Sequence, residues 1–126
     1  MTEASKSTGM IMWHDLTVEH AEDVRDFYAS VVGWTSESVS MGDYEDYSMK
    51  PDADSEAVAG VCHARGVNAD IPPQWLMYVE VADLDASMAA TTEKGGSIVV
   101  PARGLAGGRM CVVKDPAGAV LALWQK

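Results

Sequence analysis

The segment RMCVVKDPAGAVLALWQK, residues 109–126, reads as a strand, a tight turn and a second strand. Met110–Val113 and Ala119–Trp124 are short apolar runs of the kind that fit a pleated surface. Between them, Asp115-Pro116-Ala117-Gly118 carries turn residues at the right positions. Proline presets φ, glycine accepts positive φ, and an aspartate side chain bonds forward to the backbone. The segment is a β-hairpin, and it builds the domain on a sheet.

Outward from the hairpin, the 126 residues amount to one domain, large enough to bury a core without staples. Apolar residues make up 48% of the chain, which excludes a disordered composition. There are 19 acidic against 9 basic side chains, for a net charge of −10. That balance argues against nucleic acid, whose phosphates need clustered Lys and Arg, and against anionic membranes. Its plain meaning is a well-solvated surface. No apolar run approaches the ~18 residues of a membrane helix. The opening MTEASKSTGM lacks the charged-then-apolar order of a signal peptide, so the expected location is the cytoplasm. Cys62 and Cys111 each sit in an apolar run and read as buried free thiols.

Taken in order, residues 1–9 read as a disordered tail and residues 10–126 as a single domain. Met10–Val18 is the first strand, with Trp13, Asp15 and Thr17 on one face and Met12, His14, Leu16 and Val18 on the other. Ala21–Val32 is a helix with an apolar stripe of Val24, Phe27, Tyr28 and Val31, closed by Gly33. Strands follow at Trp34–Val39, Tyr44–Met49 and Ala57–His63. The polar connector RGVNADIPP, residues 65–73, divides the domain into modules 10–64 and 74–126. The second module offers a strand at Gln74–Val81 and a helix at Asp83–Lys94 with Leu84, Met88 and Ala89 inward. A strand at Ser97–Val100, a mobile loop at Pro101–Gly108 and the hairpin complete it.

The two halves repeat. A shift of 62 to 63 residues lays Val18 on Val81, Gly33 on Gly96 and Ala57-Val58-Ala59-Gly60-Val61 on Ala119-Val120-Leu121-Ala122-Leu123. Each half is a βαβββ unit, whose open sheet leaves one face uncovered. The expected fold class is α+β, two βαβββ modules forming a curved eight-stranded trough with helices outside. A ligand would enter the trough.

This order of elements resembles the vicinal oxygen chelate superfamily, which includes glyoxalase I, bleomycin-resistance proteins and extradiol dioxygenases. The resemblance rests on WHDLTV with DFYASVVGW (13–18 and 26–34), WLMYVEVADLD (75–85), EKGG with its following strand (93–100), and DPAGAVLALWQ (115–125). It is closest to the glyoxalase-like branch. It implies a homodimer, and it implies a divalent metal held by one His or Glu on the first and last strand of each half. Those positions fall on Trp13 (His14 if the strand is bulged), Gly60, Trp75 or Leu76, and Ala122. At most one of them, His14, is a competent ligand, so no metal site is assigned and no cofactor is expected.

With Ala122 inward, Val120 and Trp124 point inward too, as do Val58, Gly60 and Cys62 in the other half. Trp13, Asp15, Thr17, Trp75 or Met77, and Tyr47 complete an apolar, aromatic-lined pocket. Arg109 is placed either to clamp a ligand carboxylate or in a surface ion pair. No nucleophile constellation stands out. Three functions follow: metal-free binding of a small aromatic or amphipathic molecule; a glyoxalase-like lyase, isomerase or dioxygenase using a metal or the pair His14 and Asp15; or an interaction module with a vestigial pocket.

Overall fold

The computed structural model describes residues 6–126. Its elements run β1 (Ile11–Val18), α1 (Ala21–Val31), β2 (Thr35–Ser40), β3 (Glu45–Lys50), β4 (Ala59–His63), β5 (Trp75–Glu80), α2 (Leu84–Glu93), β6 (Ser97–Leu105), β7 (Gly108–Lys114) and β8 (Val120–Gln125). The fold is α+β, built from two βαβββ modules, as the repeat implied. Two compact units divide the chain: His14–Trp75, and Leu76–Lys126 together with the residues through Trp13. No helix among the described residues is long and apolar enough to cross a membrane.

In the first module the strand order is β2-β3-β4-β1. β2, β3 and β4 are antiparallel neighbours, and β1 closes parallel to β4 with Asp15 opposite Gly60 and Thr17 opposite Cys62. The helix covers one face, where Ala21 packs with Tyr47, Met49, Ala59 and Val61. Its half-buried stripe is Ala21, Val24, Arg25 and Tyr28, at the three- and four-residue steps of a helix. The expected stripe was turned too far. Phe27 is 56% exposed and Val31 63% exposed, because Arg25 takes the inward place by laying its guanidinium over the Tyr47 ring, 4.6 Å from the centroid. Gly33 has φ +86°, the left-handed turn that ends the helix.

The second module repeats the order as β6-β7-β8-β5, with β5 parallel to β8 and Tyr78 opposite Ala122. α2 buries Leu84 among Cys111, Val113 and Leu123, with Met88 packed alongside. Ala89, expected inward, is exposed. Asp83 caps the helix by accepting from the Ala86 N–H at 3.1 Å.

The closing hairpin forms as read. Asp115 Oδ1 accepts from the Ala117 and Ala119 N–H groups at 2.8 and 3.0 Å, and Gly118 turns with φ +93°. The mobile loop expected at residues 101–108 does not exist; β6 runs through Pro101 to Leu105. Proline is tolerated because the strand lies at an edge and is bulged, with register shifts between Ile98 and Val100 and again before Arg103. Ala106 (φ 50°) and Gly107 (φ 79°) make the two-residue turn into β7. The tail expected at residues 1–9 lies outside the described residues for positions 1–5. Ser7 and Gly9 are ordered parts of the fold: Ser7 Oγ donates to Glu80 at 2.6 Å, and the Gly9 N–H donates to the Glu80 carbonyl at 2.7 Å.

Gly108 has no room for a side chain. A Cβ there would stand 2.2 Å from the Gln125 carbonyl oxygen and 2.9 Å from the Trp124 ring. Gly108→Ala should lower stability by roughly 3 kcal/mol, while Gly104→Ala, whose nearest neighbour would be 3.9 Å away, should change it by less than about 0.5 kcal/mol. Urea unfolding of the two variants checks the difference.

Candidate functional site

Strand register sorts the expected site residues. Side chains alternate, so Asp15, Thr17, Gly60 and Cys62 share the first module's open face, away from α1. Trp13, two residues before Asp15 on β1, belongs to the same face. In the second module Ala122 and Trp124 share a face with Tyr78 and Glu80, and with Val112 and Met110. That face is deeply buried: Ala122, Val112 and Met110 are fully covered.

Several expectations fail on the same register. Tyr47 does not line the open face; it is 5% exposed in the core beneath α1, held under Arg25. Met77 alternates with Leu76 and Tyr78 and so points away from the Ala122 face. Trp75 packs in the helix-side core of the first module, donating its indole N–H to Tyr28 Oη at 2.9 Å. Val58 precedes β4 and is exposed. Arg109 resolves to the surface alternative: its guanidinium meets both oxygens of Asp85, at 3.0 and 3.4 Å. Trp124 is committed structurally, its indole N–H donating to the Leu105 carbonyl at 2.9 Å. His14 and Asp15 point to opposite faces of β1, because the Asp15–Gly60 register is unbroken from there to Val18. They form no acid/base pair.

A polar cluster that sequence reasoning missed adjoins the open face. Asp46 Oδ1 accepts from the His63 backbone N–H at 2.9 Å and lies 3.2 Å from His63 Nδ1. His63 Nε2 lies 2.9 Å from Glu22 on α1. The imidazole is 6% exposed, edge-on to Tyr44 at 5.4 Å. A ring flanked by two carboxylates donates to both only when protonated, and to one when neutral. The alternation of the sequence EDYSMK around Asp46 was the available signal. Backbone amides and His63 hold the Glu22 carboxyl below its ordinary range.

Cys62 sits beside this cluster. Burial first, then the negative charges of Asp15 and Asp46, push its thiol far above the ordinary range. Cys111 is pushed up to about 11, chiefly by burial. Neither thiol is an activated nucleophile: Cys62 has only carboxylates beside it, and at Cys111 burial outweighs the favourable charge of Arg109.

Within the first module, Trp34 and Trp75 stand nearly perpendicular, 84° apart with centroids 5.9 Å apart, and Tyr28 packs against both. Beside them lies a crevice of about 410 Å³ lined by His14, Trp34, Val58, Ala59 and Trp75. It thus brings together three of the residues expected at a site, His14, Val58 and Trp75. Trp34 was read only as the start of a strand; its spacing after the helix-ending Gly33 gave no sign of this role.

The implied metal positions can be judged by their donors. Trp13, Gly60, Leu76 and Ala122 offer an indole, no side chain, an isobutyl group and a methyl group, none with a lone pair suited to a divalent ion. The alternative residue at the third position, Trp75, has its N–H committed to Tyr28. Among the described residues no three His, Cys, Asp or Glu side chains are grouped to hold an ion. These residues do not fit the group.

Two outcomes follow for solution work. Iodoacetamide at neutral pH should label Cys62 at least about tenfold more slowly than a free cysteine peptide, and Asp15→Asn should speed it, as peptide mass spectrometry would read. The folded Glu22 carboxyl titrates below the unfolded one, so its stabilisation is present at neutral pH and is lost as pH falls below the ordinary value of 4.5. Glu22→Gln should therefore flatten the acid limb of stability against pH, measured by thermal melts from neutral to acid.

Comparison with known proteins bears on the whole domain. The sequence profile of the Glyoxalase/Bleomycin resistance protein/Dioxygenase superfamily matches residues 9–123. A protein of Mycobacterium tuberculosis named "Putative glyoxylase CFP32" is 34% identical over 116 residues, which are 90% of this chain and 44% of that protein. Anthracycline biosynthesis protein DnrV of Streptomyces peucetius is 31% identical over 134 residues, covering 94% of this chain and 47% of that protein. The chain spans about half the length of these curated relatives. In fold it is similar to the crystal structure of methylmalonyl-CoA epimerase from Mycobacterium tuberculosis, with a TM-score of 0.55 at 17% identity, covering 98% of this chain and 92% of that one. The chain belongs to the Glyoxalase/Bleomycin resistance protein/Dioxygenase superfamily.

Proposed function

We propose that this chain binds a small aromatic or amphipathic molecule and does so without the divalent metal that the resemblance implies. The observation that carries the reading is the aromatic crevice of about 410 Å³, walled by Trp34 and Trp75 with His14 at its side. Perpendicular indoles suit a flat ring, which meets the face of one and the edge of the other. Ala59 leaves depth at the floor, and His14 supplies the polar group that fixes orientation. Of the four implied metal positions at most one, with His14, carries a competent donor, and a single imidazole does not hold a divalent ion against water, which supports metal-free binding over metal-assisted catalysis.

The enzymatic alternative loses its leading pair, since His14 and Asp15 face opposite sides of β1. What remains for it is Asp15 with the neutral thiol of Cys62 on the open face. A homodimer is the assembly this reading takes from the family, and the cytoplasm is the location expected from the sequence.

Tryptophan fluorescence with a panel of neutral aromatic compounds tests the proposal. Saturable quenching is expected, weakened about tenfold or more in Trp34→Ala. Elemental analysis after exposure to nickel, zinc, manganese and iron should find far less than one ion per chain. One bound ion per chain would overturn the metal-free reading. Turnover of any panel compound that is lost in Asp15→Asn would replace binding with catalysis.

A further inference from the structure

We propose that the first module carries a second binding site, at the junction of β1, α1 and the connector, and that it takes a small organic cation: an ammonium head on an apolar body. A cavity of about 550 Å³ lies there, with Val24, Ile71 and Pro73 among its apolar walls and Glu19 and His20 as its polar groups. The volume is that of ordinary small-molecule sites. It shares no lining residue with the aromatic crevice.

Glu19 and His20 are exposed at the rim of the cavity, and neither side chain is engaged elsewhere among the described residues. His20 stands at the N-cap position of α1, yet its side chain makes no capping bond. Glu19 forms no ion pair among the described residues, unlike Glu37, which Lys50 neutralises, and Asp85, which Arg109 neutralises. Thr17 borders the cavity but is 4% exposed, and its side chain belongs to the open face with Asp15. An imidazole and a carboxylate at the rim of an apolar cavity are the usual make-up of a ligand site rather than of a core.

Charge decides the ligand class. No Lys or Arg lines the cavity, and the chain carries −10 overall, so an anionic head meets only repulsion. An ammonium donates to the Glu19 carboxylate in a charge-assisted bond, and to a ring nitrogen of His20. The apolar body then covers Val24 and Ile71. The walls are held in place before any ligand arrives. The Ala64 N–H donates to the Val18 carbonyl at 2.9 Å, the Val24 N–H to the His20 carbonyl at 3.2 Å, and the Ile71 N–H to the Asn68 carbonyl at 3.1 Å. Ile71 itself is 5% exposed, which anchors the connector against the module. Preformed walls spare the ordering cost of binding.

The test is an amide ¹H–¹⁵N titration of the labelled chain with 2-phenylethylamine, beside 3-phenylpropionate as the anion of matching body. The amine should give saturable shifts at Thr17, Val24, Ala64 and Ile71, and the anion none. Glu19→Gln should weaken the amine about tenfold, as loss of one charge-assisted bond does, with the spectrum otherwise dispersed as in the parent. Trp34→Ala should leave it unchanged, which separates this site from the aromatic crevice. The proposal is overturned by an absence of saturation up to about 10 mM amine, by equal binding of the anion, by an unchanged affinity in Glu19→Gln, or by shifts confined to Trp34 and Trp75.

Discussion

Two parallel pairings govern what this chain can do. Asp15 lies opposite Gly60 in the first module, and Tyr78 lies opposite Ala122 in the second. Side chains in a strand alternate, so one fixed pair assigns every neighbour on both strands to the helix side or the open side. A slip of one residue would put His14 where Asp15 is and Ala59 where Gly60 is. It would bury the acidic face under α1 and lift Val61 into solvent. The helix-side core of Ala21, Met49, Ala59 and Val61 therefore enforces the register, and the register in turn fixes the composition of the open face.

Most of this was legible in the residues. The turn Asp115–Gly118, the helix-ending Gly33 and the repeat of 62 to 63 residues each carry a local physical signature, and each lies where it was read. β6 misled because proline and three glycines imitate a loop over residues 101–108. An edge position and two bulges let a strand accept what a central strand would reject. The stripe of α1 misled for a different reason. Apolar residues alone placed Phe27 and Val31 inward, whereas the helix turns so that Arg25 lies over Tyr47. A cation–π contact is invisible to a pattern that counts only apolar side chains.

The site was less legible, because its residues were chosen by type before their partners were known. Trp124, Trp75 and Arg109 have the chemistry of ligand contacts, but each spends that chemistry inside the fold, on Leu105, Tyr28 and Asp85. Conversely, Trp34 and Asp46 gain their interest only from neighbours distant in sequence, Trp75 and His63. Spacing along a chain reports which face a residue takes. It does not report whether that residue's hydrogen-bonding capacity is already used.

The two modules have parted in chemistry while keeping one architecture. The second module's open side is Leu76, Tyr78, Val112, Met110 and Ala122, all buried in the folded chain. The first module's open side carries Asp15, Thr17, Cys62 and Ser48, and beyond them the pair of Lys50 with Glu37. Equivalent positions thus became apolar packing in one copy and polar groups in the other. A divalent ion demands donors from both copies at once, and neither retains one at the equivalent pair Gly60 and Ala122. The carboxylates that remain are satisfied by His63 and backbone amides at Asp46, or stand unneutralised beside an apolar cavity at Glu19. On the metal-free binding proposed above, recognition then rests on a molecule's own shape and charge.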